Sequence, residues 1–233
     1  MTGVLSRPRH LARLKADQVA ARLTERSILC LPLGALEQHG PHLPLDTDTV
    51  IAERFSALLA ERYGEHHDLW ILPPVPYGLS HEHTWSPGTV SLDIAEFTGY
   101  LTRIVRGHIT STPARRLLVV NGRPEIHAGA RETSLMLALA SQDVDVLRLR
   151  KGWALPPVGH LHTRVLDRGV TWPWSTDAPE LAVDGVMGSD PRSASAEFGE
   201  ALLSSALRAA GDVLSAIAAR HSRDRAQREA PCC

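Results

Sequence analysis

The chain has almost no excess of either charge: 25 Lys and Arg against 26 Asp and Glu leave a formal net charge of −1. Such a balance creates no field that would gather nucleic acid or an anionic membrane. Long apolar runs are missing as well. None approaches the roughly 18 residues of a spanning helix, and the N-terminus lacks the apolar core of a secretory signal. Cysteine is scarce, with three in 233 residues, and Cys232 adjoins Cys233, so no internal disulfide framework is expected. Cys30 stands in an apolar segment and reads as a small buried hydrophobe. These absences lead us to expect a cytoplasmic protein with no nucleic-acid or membrane partner.

What is present is one domain's worth of chain with no sharp shift in composition. Apolar runs bounded by turn residues alternate with helical patterns, which reads as an α/β fold. Strands are expected at 27–33, 69–75 and 115–120, with a shorter one at 144–149. Ile51, Phe55, Leu58 and Leu59 mark a helix over 49–62, capped by Thr47 or Asp48 and closed by Gly64. Ile94, Phe97, Leu101, Ile104 and Val105 mark another, capped by Ser91 or Asp93. Leu135, Met136 and Leu139 suggest a third. Asp190-Pro191 looks like the start of a last helix with Leu203, Leu207, Leu214 and Ile217 on its buried stripe. Leu11 to Leu23 is amphipathic. Residues 150–188 are rich in Pro and Gly and read as a long irregular segment covering a site or a subunit contact. The expected organisation is therefore a helical extension at 1–26, one domain at 27–221, and a tail without structure at 222–233.

The stretch Glu37-Gln38-His39-Gly40-Pro41-His42, followed by Asp48, carries the chemistry. In extended backbone residues i and i+2 point the same way, so Glu37 and His39 can converge on one ion. Asp48 falls at a helix start, where the dipole favours the ionised carboxylate that coordination requires. Mixed nitrogen and oxygen donors suit zinc, manganese or iron(II) rather than calcium. The plainer reading of the same residues is a polar loop leading into the next helix.

Three blocks in order resemble the creatininase, or creatinine amidohydrolase, family. The first runs from Leu31 to Asp48. The second runs from Tyr77-Gly78-Leu79-Ser80-His81-Glu82-His83 to Pro87-Gly88-Thr89, and the third is His127-Ala128-Gly129-Ala130-Arg131-Glu132-Thr133-Ser134. The likeness spans roughly 27–210. Within the family, Gly185-Val186-Met187-Gly188 leading into Asp190-Pro191 is similar to members that act as peptidases on a ribosomally made precursor peptide and release a C-terminal fragment.

The resemblance implies a three-layer α/β sandwich with a mainly parallel central sheet, and a homo-oligomer, hexameric in close relatives. It implies one or two divalent ions, zinc, iron(II) or manganese, activating water against an amide carbonyl of a small peptide or amide substrate. By motif Glu37 would bind one ion and His39 the other, with Asp48 bridging and Glu132 closing the second position. His127 would donate the proton to the leaving nitrogen. Ser80, Glu82 and His83 would line the pocket, and His81 and His83 share a spacing that also allows direct ligation. Trp85 and Trp153 are candidates for packing on a substrate.

One departure stands out. Where the family has Asn-Gly-His-Gly-Gly-Asn, this chain reads Asn121-Gly122-Arg123-Pro124-Glu125-Ile126-His127. A histidine ligand is absent, and with it a helix and strand of on the order of 30–40 residues. A guanidinium cannot replace the ligand. Glu125 or His127 could supply it, one ion could bind alone, or the chain could be an impaired member serving as a binding or assembly protein. Hydrolysis of a small cyclic amide or a formamide is a further alternative.

Overall fold

The computed structural model describes residues 9–122, 127–149, 154–156 and 174–229, the last nine as backbone only. Arg123, Glu125 and Trp153, discussed above, lie outside the described residues.

Among the described residues, three parallel strands form one sheet in the order β2-β1-β3: β1 Ile28–Leu33, β2 Leu69–Ile71 and β3 Arg116–Asn121. β1 is central, and its register pairs Ile28 with both Leu69 and Arg116. It is buried on both faces because helices cover both, the usual condition of a parallel strand. Alternation sorts its side chains. Ile28 and Cys30 join Leu69, Leu118 and Val120 beneath helix α2 (Thr47–Tyr63) and helix α5 (Ala196–Glu229). Leu29 and Leu31 join Trp70, Leu72 and Leu117 beneath helix α3 (Ile94–Ser111). The N-terminal segment packs into that second layer too, through Leu11, Leu14, Val19 and Leu23. The architecture is thus the expected α/β sandwich with a parallel central sheet.

Local chemistry sets the element ends. The start of α3 is a capping box: Asp93 accepts from the Glu96 N–H at 2.7 Å, and Glu96 accepts from the Asp93 N–H at 2.9 Å. β2 stops at Ile71, short of the expected 75, because Pro73 and Pro74 have no N–H to offer a ladder; Val75 rejoins the sheet by a single bridge to Leu33. Residues 144–149 do not form the expected strand. No strand lies beside them among the described residues, and the Asp145 N–H goes to the His42 carbonyl while Val146–Arg148 closes as a 3-10 turn. Leu11 to Leu23 is broken into a turn at Leu11–Arg13 and helix α1 (Ala16–Arg22), because the Gln18 side chain takes the Lys15 N–H.

At α2 neither Thr47 nor Asp48 is the cap. Asp46 holds that place, Thr47 turns its hydroxyl onto the Pro44 carbonyl, and Asp48 lies within the first turn. Gly64 ends α2 in a right-handed conformation rather than the left-handed one glycine usually supplies. Asp190-Pro191 opens only the short turn Pro191–Ser193, and α5 begins at Ala196, where the Ser195 hydroxyl accepts from Phe198. Its helix runs to Glu229, so residues 222–229 are helical where a tail without structure was expected. By length and composition Ala196–Arg220 could cross a membrane, but Arg208 and Asp212 interrupt it, and Leu207 and Leu214 are buried in the core against α2.

Candidate metal centre

The loop that leaves β1 carries Glu37, Gln38 and His39 into the interior, where all three are buried. Asp48 arrives from the first turn of α2 and Glu132 from the first turn of helix α4 (Ala130–Ala140). Two helix N-termini therefore present carboxylates to one point, each in the position the dipole favours for a negative charge. Gly122, just beyond β3, makes the approach possible, since a Cβ there would stand 1.9 Å from the Asp48 carbonyl oxygen.

His39 Nδ1 faces the Glu37 carbonyl at 3.0 Å. A carbonyl can only accept, so that nitrogen carries the hydrogen, and in the neutral ring Nε2 is the nitrogen with a lone pair. Nε2 meets Asp48 Oδ1 at 3.4 Å and Glu132 Oε1 at 3.5 Å, all fully buried. His39 Nε2, both Asp48 oxygens and Glu132 Oε1 have no hydrogen-bond partner among the described residues. Their separations are long for hydrogen bonds. They match the roughly 3.4 Å between two donors that each sit about 2.1 Å from a tetrahedral ion. Burial opposes charge on the His39 ring, yet Glu132 and Asp48 hold its pKa well above the ordinary value. Burial raises that of Glu132, with His39 acting against it. The pocket calls for positive charge, and this donor set fits a divalent cation.

Glu37 lies alongside. Its Oε2 accepts from the Ser80 hydroxyl at 2.5 Å. Its Oε1 is 3.4 Å from His83 Nε2 and 3.5 Å from His127 Nδ1. Ligand atoms of Glu37, His39 and Asp48 fall within 4.8 Å of one another, as do those of His39, His127 and Glu132 and those of Glu37, His83 and His127. All five residues expected from the first and third motifs thus meet, with His83 among them. Ser80 and His83 are fully buried behind the Glu37 carboxylate, while the Glu82 side chain keeps some exposure. Trp85 is 43% exposed and donates its indole N–H to Thr176.

Gln38 and Thr176 were given no role by the sequence alone. Gln38 accepts from the Gly40 N–H and donates to the Gly185 carbonyl, which ties the loop to the segment 174–188. Gly185, at φ 81°, leaves room for that amide; a Cβ would stand 2.1 Å from the Gln38 oxygen. Met187 donates to the His127 carbonyl. The described part of the irregular segment therefore does cover the site. The only sequence signal for Thr176 was its place in that segment.

Comparison with known proteins agrees with this picture. A family model described as creatininase, creatinine amidohydrolase, matches residues 12–125 and 122–214. The two matched segments overlap at 122–125, within the stretch where the sequence departs from the expected motif. A mycofactocin precursor peptide peptidase of Mycolicibacterium smegmatis is 31% identical over 217 residues, 79% of this chain and 83% of that protein. A creatinine amidohydrolase of Pseudomonas putida is 36% identical over 103 residues, 42% of this chain and 38% of that one. A solved mutant creatininase superposes with a TM-score of 0.71 at 24% identity, covering 88% of this chain and 96% of its own, which is a likeness of fold.

Proposed function

The chain belongs to the creatininase family of hydrolases, and on that premise we propose that it is a metal-dependent peptidase acting on a mycofactocin-type precursor peptide, releasing a C-terminal fragment. The reading is supported by likeness to the mycobacterial peptidase over most of both chains. The observation that carries the metal dependence is the knot of buried donors on His39, Asp48 and Glu132, spaced for an ion rather than for each other.

In this proposal His39, Asp48 and Glu132 hold the ion, with Glu37 beside them. A divalent cation bound there activates water and polarises the amide carbonyl. The protein's own contribution is geometric. The Glu37 carbonyl fixes the His39 ring, Ser80 fixes the Glu37 carboxylate, and the Ala128 N–H holds the second oxygen of Glu132 at 2.5 Å. Glu82, which alone among Ser80, Glu82 and His83 keeps solvent exposure, is the group we assign to contact with the peptide. The ion is zinc, iron(II) or manganese, and the setting cytoplasmic. Exposed apolar side chains such as Ile94, Val119 and Leu147 support assembly into a homo-oligomer, a hexamer by resemblance.

The test is metal content together with cleavage of the precursor peptide. Near-stoichiometric metal, and cleavage abolished by Glu132→Gln, is the expected result. Tight peptide binding without metal or cleavage would instead favour the binding-protein reading. Turnover of formamides or cyclic amides alone would move the substrate.

A further inference from the structure

We propose that the outer face of α5 docks on the α5 of a second copy of this chain, the two helices running antiparallel about a two-fold axis near Ala210. The inference names a contact for the self-association proposed above. It rests on that part of the reading and not on the metal centre.

α5 buries one stripe, Leu203, Leu207 and Leu214, in the fold. Gly199 and Gly211 draw it in, since a Cβ at either would strike the Ser134 carbonyl or the Tyr63 ring. The face turned away is not the charged surface of an ordinary solvated helix. Only 22% of the most apolar stretch of Ala196–Arg220 is buried. Uncovered apolar surface of this kind marks contact with another molecule.

Ala201, Ser205, Arg208, Asp212, Ser215 and Ala219 form the centre of that face, and all are exposed. They are spaced alternately by four and three, the heptad spacing of a coiled-coil seam. Their order is what selects the occupant. About Ala210 the seam reads Ala, Ser, Arg on one side and Asp, Ser, Ala on the other. A two-fold contact requires one patch to match itself, and this patch does. Antiparallel pairing sets Ala201 opposite Ala219 of the second copy, Ser205 opposite Ser215, and Arg208 opposite Asp212. Each pair occurs twice.

Among the described residues neither Arg208 nor Asp212 has an ion-pair partner. Pairing supplies one to each. The same two charges fix orientation and register, as polar seam positions do. Parallel helices would set Arg208 against Arg208. Antiparallel helices slid by one heptad would leave both charges facing Ala and Ser.

Side chains as small as Ala and Ser let the helix axes approach to near the lower end of about 8–10 Å. The Ser215 hydroxyl already donates to the Gly211 carbonyl at 2.9 Å, so covering it strands no donor. Phe198 continues the seam and Val213 flanks its middle, at 43% and 47% exposure. Because α5 runs on to Glu229, the second helix is long enough to reach Phe198 and cover it.

The experiment measures the mass of the full-length protein by sedimentation and light scattering over a concentration series. Wild type is compared with Arg208→Asp, with Asp212→Arg, with the double reversal, and with an equimolar mixture of the two single variants. Each single reversal sets like charges opposite at both ends of the seam and should weaken the association roughly 10- to 100-fold. The double reversal should restore it. So should the mixture, in which an all-acidic seam meets an all-basic one. Restoration by mixing also shows that both single variants are folded. Single reversals that leave assembly unchanged would overturn the inference, although self-association through another surface would stand. Single reversals that dissociate the protein without rescue by either combination would overturn it too. A wild type that is monomeric throughout would overturn both the contact and the proposed self-association. A monomer that floats with vesicles of phosphatidylcholine and phosphatidylglycerol would assign the face to lipid instead. None of these outcomes depends on bound metal, so the hydrolase reading is tested separately.

Discussion

At the scale of single residues the centre depends on side chains that hold other side chains. Ser80 is the plainest case. Replacing it with Ala leaves the buried Glu37 carboxylate short of one donor, which should cost about 1–3 kcal/mol. Denaturation of the metal-free protein would measure this, and an unchanged midpoint would remove Ser80 from its supporting role. His42 gives a pH dependence. Burial, with the His39 ring adding to it, lowers its pKa from 6.5 to about 4. The unfolded chain therefore takes up a proton that the folded chain refuses. Stability from this residue is intact above pH 6.5, falls as pH drops toward 4, and levels off below. The loss has an upper bound of roughly 3 kcal/mol. His42→Gln should flatten the acid limb of a stability-against-pH curve; an unchanged limb would mean other groups produce it. At this scale the sequence was legible where candidate donors sit in a short motif or at a helix start. Glu37 and His39 are two residues apart, and the acids at 48 and 132 open helices. The surroundings of His83 were harder to read, because its partner Thr176 lies 93 residues away in a segment without periodic pattern.

Whole elements act by where they end. α2 and α4 aim their first turns at the same point, and β3 delivers Gly122 against the first of them. Gly122→Ala would push a methyl into the Asp48 carbonyl, and overpacking of this kind costs typically 1–3 kcal/mol. We expect Gly122→Ala to weaken metal binding as well as folding, because the displaced turn carries a ligand. Asp93→Ala is the contrasting change. It removes the α3 cap, costs about 1 kcal/mol, and should leave metal content untouched, since α3 lies on the far layer of the sheet. Calorimetry and metal analysis on both variants separate the two effects. Element boundaries were readable where the deciding interaction is local, as in the Asp93 and Glu96 box, although the proline pair that stops β2 was local too and was passed over. They were misread where it is not. Residues 144–149 alternate as a strand does, but their backbone partner is His42, reached only through the fold.

For the molecule as a whole, the sandwich brings the loop after β1, the turn His81–His83 and the first turns of α2 and α4 around a cluster of buried carboxylates and imidazoles. Removing the metal leaves those carboxylates facing each other without a cation, so chelation should lower the melting temperature. Restoring zinc at 100 times its dissociation constant should return about 2.7 kcal/mol. A melting curve indifferent to chelator would argue against an ion in the fold. The overall architecture was evident early, because alternating apolar runs and amphipathic helices leave few other arrangements. What local pattern could not disclose was how the segment 174–188 seats itself, since its anchors are scattered bonds to Gln38, Glu82, His83, Trp85 and His127. That seating has a further consequence. Because the donors are buried and this segment is bonded to the Gln38, His83 and His127 side of them, a bound ion should exchange slowly. The metal found in the protein should then record which cation was at hand when the chain first folded, and only slowly come to reflect the solution around it.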